Sequence, residues 1–463
     1  MPSPFSSDSA RASLLARWIP WPWLDTVSLS FVIQVYLPVS RGWAAACGAG
    51  EDVERFRAES GADLSSAVVA PALSQTAHLA RRYKAATGRW ESAYFSDGAL
   101  PEHRLAAIER ARNRAATQFM LSRTTFAPWF RQFPPVRWQI ATPGIMEARH
   151  GEFRRMPESA YSPPCRPKVT ASQSYRRGRT RKYWLRFASP LLGDTVWARV
   201  TEPHDVANPP TLIFLHGIAM EQDLWPPTRN ALGDLAKQGI RVVRPEGPWH
   251  GRRMLKGFYG GEPILARGPE GLLTFLRASV TEAATLIAWA RDAGSPMVAL
   301  GGASLGALTS QLIATVSGSW SQDLHPDALL LIATTGRPIE IVTTGSLARG
   351  IGLPETLHQA GWTSSHLERW LGLFEPRMPP VVDVTRIVIV LGRADDLMPH
   401  EGGVDLAHRW GVPADNVFIQ PQGHFSVSLA LLNDPAPMQR FRTILRGQAA
   451  LPPPRRRLSR LIG

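Results

Sequence analysis

The segment Gly302-Ala303-Ser304-Leu305-Gly306 sets a serine between two apolar runs. Pro296–Gly301 before it reads as a short buried strand, and Leu308 to Val316 after it has apolar residues at helical spacing. A serine on a sharp strand-to-helix turn is held with its hydroxyl exposed in a strained backbone. Gly302 and Gly306, two residues to either side, let strand and helix pass closely. Such a serine is a candidate nucleophile, although the pentapeptide alone is a weak signal and also fits a structural tight turn. Three further loops supply what it would need. Gly392–Pro399 carries Asp395, with Asp396 as the alternative acid, where a carboxylate would orient an imidazole and stabilise its charged form. Gln422-Gly423-His424-Phe425 supplies His424, whose neutral ring is the natural acceptor for a serine proton near pH 7. His216-Gly217-Ile218 brings a glycine that lets the backbone approach a reacting carbonyl. There the Ile218 N–H would pair with the Leu305 N–H as an oxyanion hole. Ser304, Asp395 and His424 are therefore the catalytic candidates and Ile218 and Leu305 the oxyanion donors, with His216, Gly217, Gly302 and Gly306 in support.

The elements that must position these residues can be read around them. Tyr183–Ala188 and Thr195–Val200 flank a Leu191–Asp194 turn as in an antiparallel hairpin. Short apolar runs follow at Thr211–Leu215, Arg241–Arg244, Met297–Leu300, Ala328–Ile332, Ile387–Leu391 and Asn416–Ile419. Helical segments such as Leu224–Gln238, Leu272–Ala293 and Leu305–Ser317 separate them. Continuous apolar strands alternating with helices predict an α/β fold, with a mostly parallel sheet covered on both faces. In such a sheet functional groups gather on the loops after the strands, and each candidate stands on one of these loops. The stretch 335–384, rich in Leu, Trp and Gly, interrupts the alternation and predicts a helical cap over the strand ends. Residues 1–175 read as a mainly helical, basic extension with its best helix at Glu102–Phe119. Residues 183–448 read as the sheet domain, and 449–463 as a basic Pro/Arg-rich tail.

The order Ser304, Asp395, His424, each after a separate strand, resembles the α/β-hydrolase superfamily across roughly residues 183–448. Pro245-Glu246-Gly247-Pro248-Trp249-His250-Gly251-Arg252 is similar to that superfamily's proline-histidine-glycine loop. A serine at position 304, where dehalogenases and epoxide hydrolases would carry an aspartate, implies acyl transfer. The resemblance extends further to a little-characterised family, the α/β-hydrolase domain-containing protein eighteen-like proteins. It rests on Leu37–Arg57 with Arg41-Gly42-Trp43, on Phe258-Tyr259-Gly260, on Thr343-Thr344-Gly345 and on Gly423-His424-Phe425-Ser426. This resemblance implies that the N-terminal part is integral to the family.

The chain has 463 residues and a formal net charge of +14. Residues 101–200 hold 19 Lys and Arg against 6 Asp and Glu, whereas residues 201–450 hold 20 against 23. The charge thus belongs to the segment before the sheet and to the tail. An arginine-rich solvated surface is the plain reading, peripheral contact with an anionic membrane the next, and no nucleic-acid motif is present. Leu29–Val39 is too short to span a membrane. It predicts an amphipathic helix lying on the protein or on a membrane surface, with Trp18, Trp21, Trp23 and Trp43 nearby. The Ala44–Cys47 box superficially suggests a signal-peptide end, against which Arg41 and Asp25 argue. Cys47 and Cys165 form no disulfide framework and fit a reducing, cytoplasmic setting or plain core filling. No metal cluster, phosphate loop or dinucleotide fingerprint competes, so no cofactor or metal is expected. The expected function is a serine hydrolase of a small-molecule or lipid-like acyl ester. The alternatives are an acyltransferase or thioesterase with the same triad, or a non-catalytic hydrolase-fold binding protein. Oligomeric state is not legible.

Overall fold

The computed structural model describes residues 21–163, 166–219 and 231–447. The tail at 449–463, Trp18, the side chains of Trp21 and Trp23, Cys165 and the first part of Leu224–Gln238 lie outside the described residues.

One mixed sheet organises the chain. Its strands are β1 (Thr170–Ala171), β2 (Tyr175–Arg177), β3 (Thr180–Ala188), β4 (Thr195–Pro203) and β5 (Thr211–Leu215). They continue with β6 (Arg241–Pro245), β7 (Val298–Ala303), β8 (Ala328–Ile332), β9 (Ile387–Gly392) and β10 (Val417–Gln420). The order across the sheet is β1-β3-β4-β6-β5-β7-β8-β9-β10, with β2 paired to β3. Strands β5 to β10 run parallel, while β1 to β4 pair antiparallel and β4 joins β6 antiparallel. This is the α/β-hydrolase fold. The swap of β5 and β6 in the order creates a point where successive connections leave on opposite faces, which leaves a crevice at the strand ends.

Strands β5 to β9 are buried on both faces, with side chains alternating between two cores, while β10 at the sheet edge is partly exposed. Leu212, Val242, Ala299, Leu330, Val388 and Val390 pack with helices Ala231–Lys237 and Ala436–Leu445. Ile213, Val243, Leu300, Leu331 and Ile389 face the other way, toward helices Gly268–Asp292 and Leu305–Val316. A continuous apolar strand sequence is therefore required, since neither face may meet water.

The second core also takes in the N-terminal helices. Leu37, Trp43, Phe56, Leu73, Phe119 and Phe126 belong to the same buried cluster as the sheet face. Helix Trp21–Phe31 runs through a π-helical stretch, Val32–Tyr36, into helix Leu37–Ala49. The later part of this run is not a surface helix. Trp43 is fully buried with its indole N–H donating to Ser122 Oγ at 3.0 Å. Arg41 is fully buried, and its Nη1 donates to both oxygens of Glu262 at 3.0 and 2.8 Å, pairing two interior charges across 221 residues. A second junction is aromatic. Arg252 stacks over Trp90 of helix Ser66–Tyr94 at 4.7 Å and over Trp184 and Trp197 of β3 and β4 at 4.4 and 4.5 Å.

Strands begin at Thr170, inside a stretch that reads from sequence as basic and irregular. β1 and β2 are two- and three-residue edge pieces, and Arg176 and Arg177 face solvent. Short, charged edges escape detection because they carry no apolar alternation. Many arginines of this segment have partners within the chain. Arg137 pairs with Glu59, Arg149 with Glu270, Arg154 with Glu147, Arg181 with Glu202, Arg186 with Glu91 and Arg199 with Glu109.

Candidate active site

Ser304 closes β7 and precedes helix Leu305–Val316, with φ 56° and ψ −125°. A non-glycine residue held there is strained, and neighbours must enforce it. Its N–H donates to Ile332 O at the end of β8. The flanking glycines explain the local sequence. A Cβ on Gly302 would lie 2.3 Å from the carbonyl carbon of Gly306, and one on Gly306 would lie 2.1 Å from Leu215 O. The turn can form only with glycine at both places.

Two loops at neighbouring strand ends bring up the other groups. After β9, Arg393 N and Ala394 N donate to Gln420 O and Gln422 O, which ties this loop to the one after β10. Gly392 permits the approach, since a Cβ there would meet Gln422 O at 2.5 Å. Asp395 is buried, whereas Asp396 is exposed. Asp395 Oδ1 accepts the N–H groups of Leu397 and Met398 at 3.1 and 2.9 Å, and Oδ2 lies 2.8 Å from His424 Nδ1. His424 Nε2 lies 3.0 Å from Ser304 Oγ. The structure thus brings Ser304, His424 and Asp395 into one hydrogen-bonded line and leaves Asp396 outside it.

Electrostatics follow from this geometry. Burial works against the His424 imidazolium, and the Asp395 carboxylate more than offsets it by charge and hydrogen bond. Asp25 and Asp396 add to the same side, so the ring titrates above its ordinary 6.5.

The loop after β5 is shaped by two other histidines. His216 Nε2 accepts the Gly247 N–H at 2.9 Å, and His250 Nε2 accepts the Ala219 N–H at 3.1 Å. Each ring's Nδ1 faces a backbone carbonyl, Gly217 O and Pro248 O respectively, which sets the Nδ1–H tautomer for both. Burial lowers His216 to about 4, and burial with the neighbouring His216 lowers His250 well below 6.5. Both rings are therefore neutral acceptors for main-chain N–H groups. His250 is a residue whose role the sequence does not disclose, although its loop stands out. That loop is anchored by Arg253, which donates to Glu246 O and to the carboxylates of Asp194 and Glu282. Ala219 has φ 56°, a strained conformation next to the half-buried Ile218. Among the described residues, neither Leu305 N–H nor Ile218 N–H has an acceptor.

A cavity of about 150 Å³ opens at Ser304. Its floor includes Ile218, Leu305 and Leu308, and its roof comes from the cap, with Ile341, Leu347 and Phe374. The cap lies between β8 and β9 as four short helices, Pro338–Thr343, Ser346–Gly350, Leu353–Gln359 and Ser364–Glu368. No charged side chain lines the cavity among the described residues. Among the described residues there is likewise no group of three or more His, Cys, Asp or Glu side chains placed to hold a metal.

No family model and no curated protein matches the chain, and the narrower eighteen-like resemblance has no match to support it. Solved structures do match. Acetyl xylan esterase 1 from Thermoanaerobacterium sp. JW/SL YS485 is 15% identical with a TM-score of 0.46, over 67% of this chain and 96% of its own. Brefeldin A esterase, described as a bacterial homologue of human hormone sensitive lipase, is 15% identical with a TM-score of 0.37, over 70% and 90%. An S-formylglutathione hydrolase from Agrobacterium tumefaciens is 13% identical with a TM-score of 0.38, over 59% and 98%. At such identities and scores these likenesses carry no chemistry to this chain. The chain itself has an α/β-hydrolase fold with Ser304, His424 and Asp395 aligned beneath an apolar cap.

Proposed function

We propose that the chain is a serine hydrolase acting on esters with an apolar acyl group. The observation that carries this reading is the line Ser304 Oγ, His424 Nε2, His424 Nδ1, Asp395 Oδ2, with links of 3.0 and 2.8 Å, opening onto an apolar cavity. Ser304 Oγ attacks the ester carbonyl while His424 Nε2 takes its proton, and Asp395 holds the ring and stabilises the imidazolium. The Leu305 and Ile218 N–H groups receive the oxyanion. Their lack of acceptors within the described chain supports that role, because such donors act where charge develops. The imidazolium then protonates the departing alcohol. Water, deprotonated by the same ring, attacks the acyl-enzyme, and the proton returns to Ser304 as the acid leaves.

The apolar lining favours an acyl chain over a charged or sugar-like group, since a polar group buried there would lose its water without replacement. The test is turnover of a soluble acyl ester by the wild type and by Ser304→Ala, with product analysis in the presence of added alcohol or thiol. Release of free acid by the wild type alone is expected. Acyl product carried mainly to the added acceptor would instead make the chain an acyltransferase, and equal turnover by Ser304→Ala would refute the nucleophile.

A further inference from the structure

The helix His424–Ala430 starts without a cap of its own, because Gly423 at its N-cap position has no side chain to accept the first N–H groups. The acceptor comes from the opposite end of the sequence. Asp25, on helix Trp21–Phe31, receives the Gly423 N–H on Oδ2 at 3.2 Å, 398 residues away. Its Oδ1 receives the N–H groups of Phe425 and Ser426 at 2.7 and 3.1 Å, and the Ser426 hydroxyl donates to Oδ2. The carboxylate is buried and tightly fitted, for a Cβ on Gly423 would lie 2.7 Å from its Cγ. The same helical run lays Ile33 against Gly350 of the cap, where a Cβ would meet Ile33 Cδ1 at 2.3 Å. One N-terminal segment therefore touches both the histidine loop and the cap.

A remote cap could serve stability alone, but its placement points further. The three backbone donors stand on both sides of His424, at 423, 425 and 426, so the carboxylate fixes the main chain from which the imidazole reaches Ser304. The charged groups that act on the ring are Asp395, Asp25 and Asp396, all favouring its protonated form. Arg393, on the loop of the two other aspartates, is exposed, and helix Trp21–Phe31 carries no titratable side chain besides Asp25.

We propose that Asp25 is a positioning residue for His424, holding the first turn of its helix so that Nε2 meets Ser304 Oγ and supplying a second negative charge behind the imidazolium. The proposal rests on the serine-hydrolase reading and extends it, since the N-terminal helix becomes part of the catalytic apparatus.

The experiment is the pH profile of kcat and kcat/KM for a short acyl ester in wild type, Asp25→Asn and Asp25→Ala, with melting temperatures alongside. Asp25→Asn keeps the shape and one carbonyl acceptor but removes the charge. Its acidic limb is expected at lower pH than in wild type, and its kcat reduced with KM little changed. Asp25→Ala removes the acceptor as well, and its kcat is expected to fall by on the order of 10²-fold, the scale of a small misplacement of a reacting group. A wild-type limb and kcat in folded Asp25→Asn would overturn the proposal, whatever the melting temperature. Failure of Asp25→Asn to fold would assign the residue to stability alone and overturn it too. Absence of turnover in the wild type would instead overturn the underlying hydrolase reading, and the proposal with it.

Discussion

Gly306 lies so close to Leu215 that a Cβ on the glycine would sit 2.1 Å from the leucine carbonyl oxygen. This contact joins the serine turn after β7 to the end of β5, and so sets the distance between Ser304 and the His216-Gly217-Ile218 loop. Gly306→Ala must separate the two strand ends or distort the turn. A loss of about 1–3 kcal/mol in stability is expected from such overpacking, together with loss of ester turnover. Melting temperature and kcat/KM measured on the same preparation check both, and an active, undisturbed Gly306→Ala would contradict the geometry.

With His424 as the proposed general base, activity needs a neutral ring and is expected to be lost as pH falls through that ring's pKa. Burial opposes protonation but Asp395 outweighs it, which places the acidic limb of kcat/KM above pH 6.5. The raised pKa also has a sign for stability. The stabilisation it gives is complete below the unfolded value of 6.5 and fades as pH rises through the folded one. The pH of best activity is then one at which this contribution has gone. Asp395→Asn should lower turnover by about 10⁴-fold, and its residual limb should lie at lower pH.

His216 and His250 are buried, neutral acceptors, with His216 held at about 4. Neither should contribute a limb to the pH profile between 5 and 8. His250→Ala leaves the Ala219 N–H without its acceptor and frees the strained loop beside Ile218. A fall in kcat of at least about tenfold is expected, with KM changed less, as for a misplaced oxyanion donor. Steady-state kinetics on one ester decide it, and a variant that changes KM alone would place His250 outside the oxyanion loop's support.

The cavity at Ser304 is lined by apolar side chains from the cap and from the sheet side. Each methylene added to the acyl group should gain about 0.8 kcal/mol, or roughly fourfold in kcat/KM, until the space is filled. A graded series of acyl esters reads this directly. Leu347→Glu, which puts a charge in the roof, should flatten the series while sparing the acetyl ester. A flat series in the wild type would remove the acyl chain from this cavity.

Much of this arrangement is legible in the sequence because Ser304, Asp395 and His424 each follow an apolar strand. Thr211–Leu215, Val298–Ala303 and Ile387–Gly392 are buried on both faces, and their continuous apolar character locates the loops that follow. Sequence leaves Asp395 and Asp396 as alternatives; burial and the contact with His424 Nδ1 separate them. Asp25 is beyond sequence reasoning for a physical reason. Its partners are three main-chain N–H groups and the Ser426 hydroxyl, 398 to 401 residues away, and backbone donors carry no side-chain signature. The same holds for His250, whose partner is the Ala219 N–H. The N-terminal helices show an apolar side in sequence, but periodicity does not say what covers it, and here it is the sheet's own core. Arg41 pairs in the interior with Glu262, a partner 221 residues away that no local pattern indicates.

The assignment of Ser304 as the nucleophile of an acyl-transfer triad is tested by labelling with a fluorophosphonate followed by peptide mass analysis. One adduct is expected, on the peptide containing Ser304, absent in Ser304→Ala and slowed strongly in Asp395→Asn. An unlabelled wild type, or equal labelling of Ser304→Ala, would contradict it.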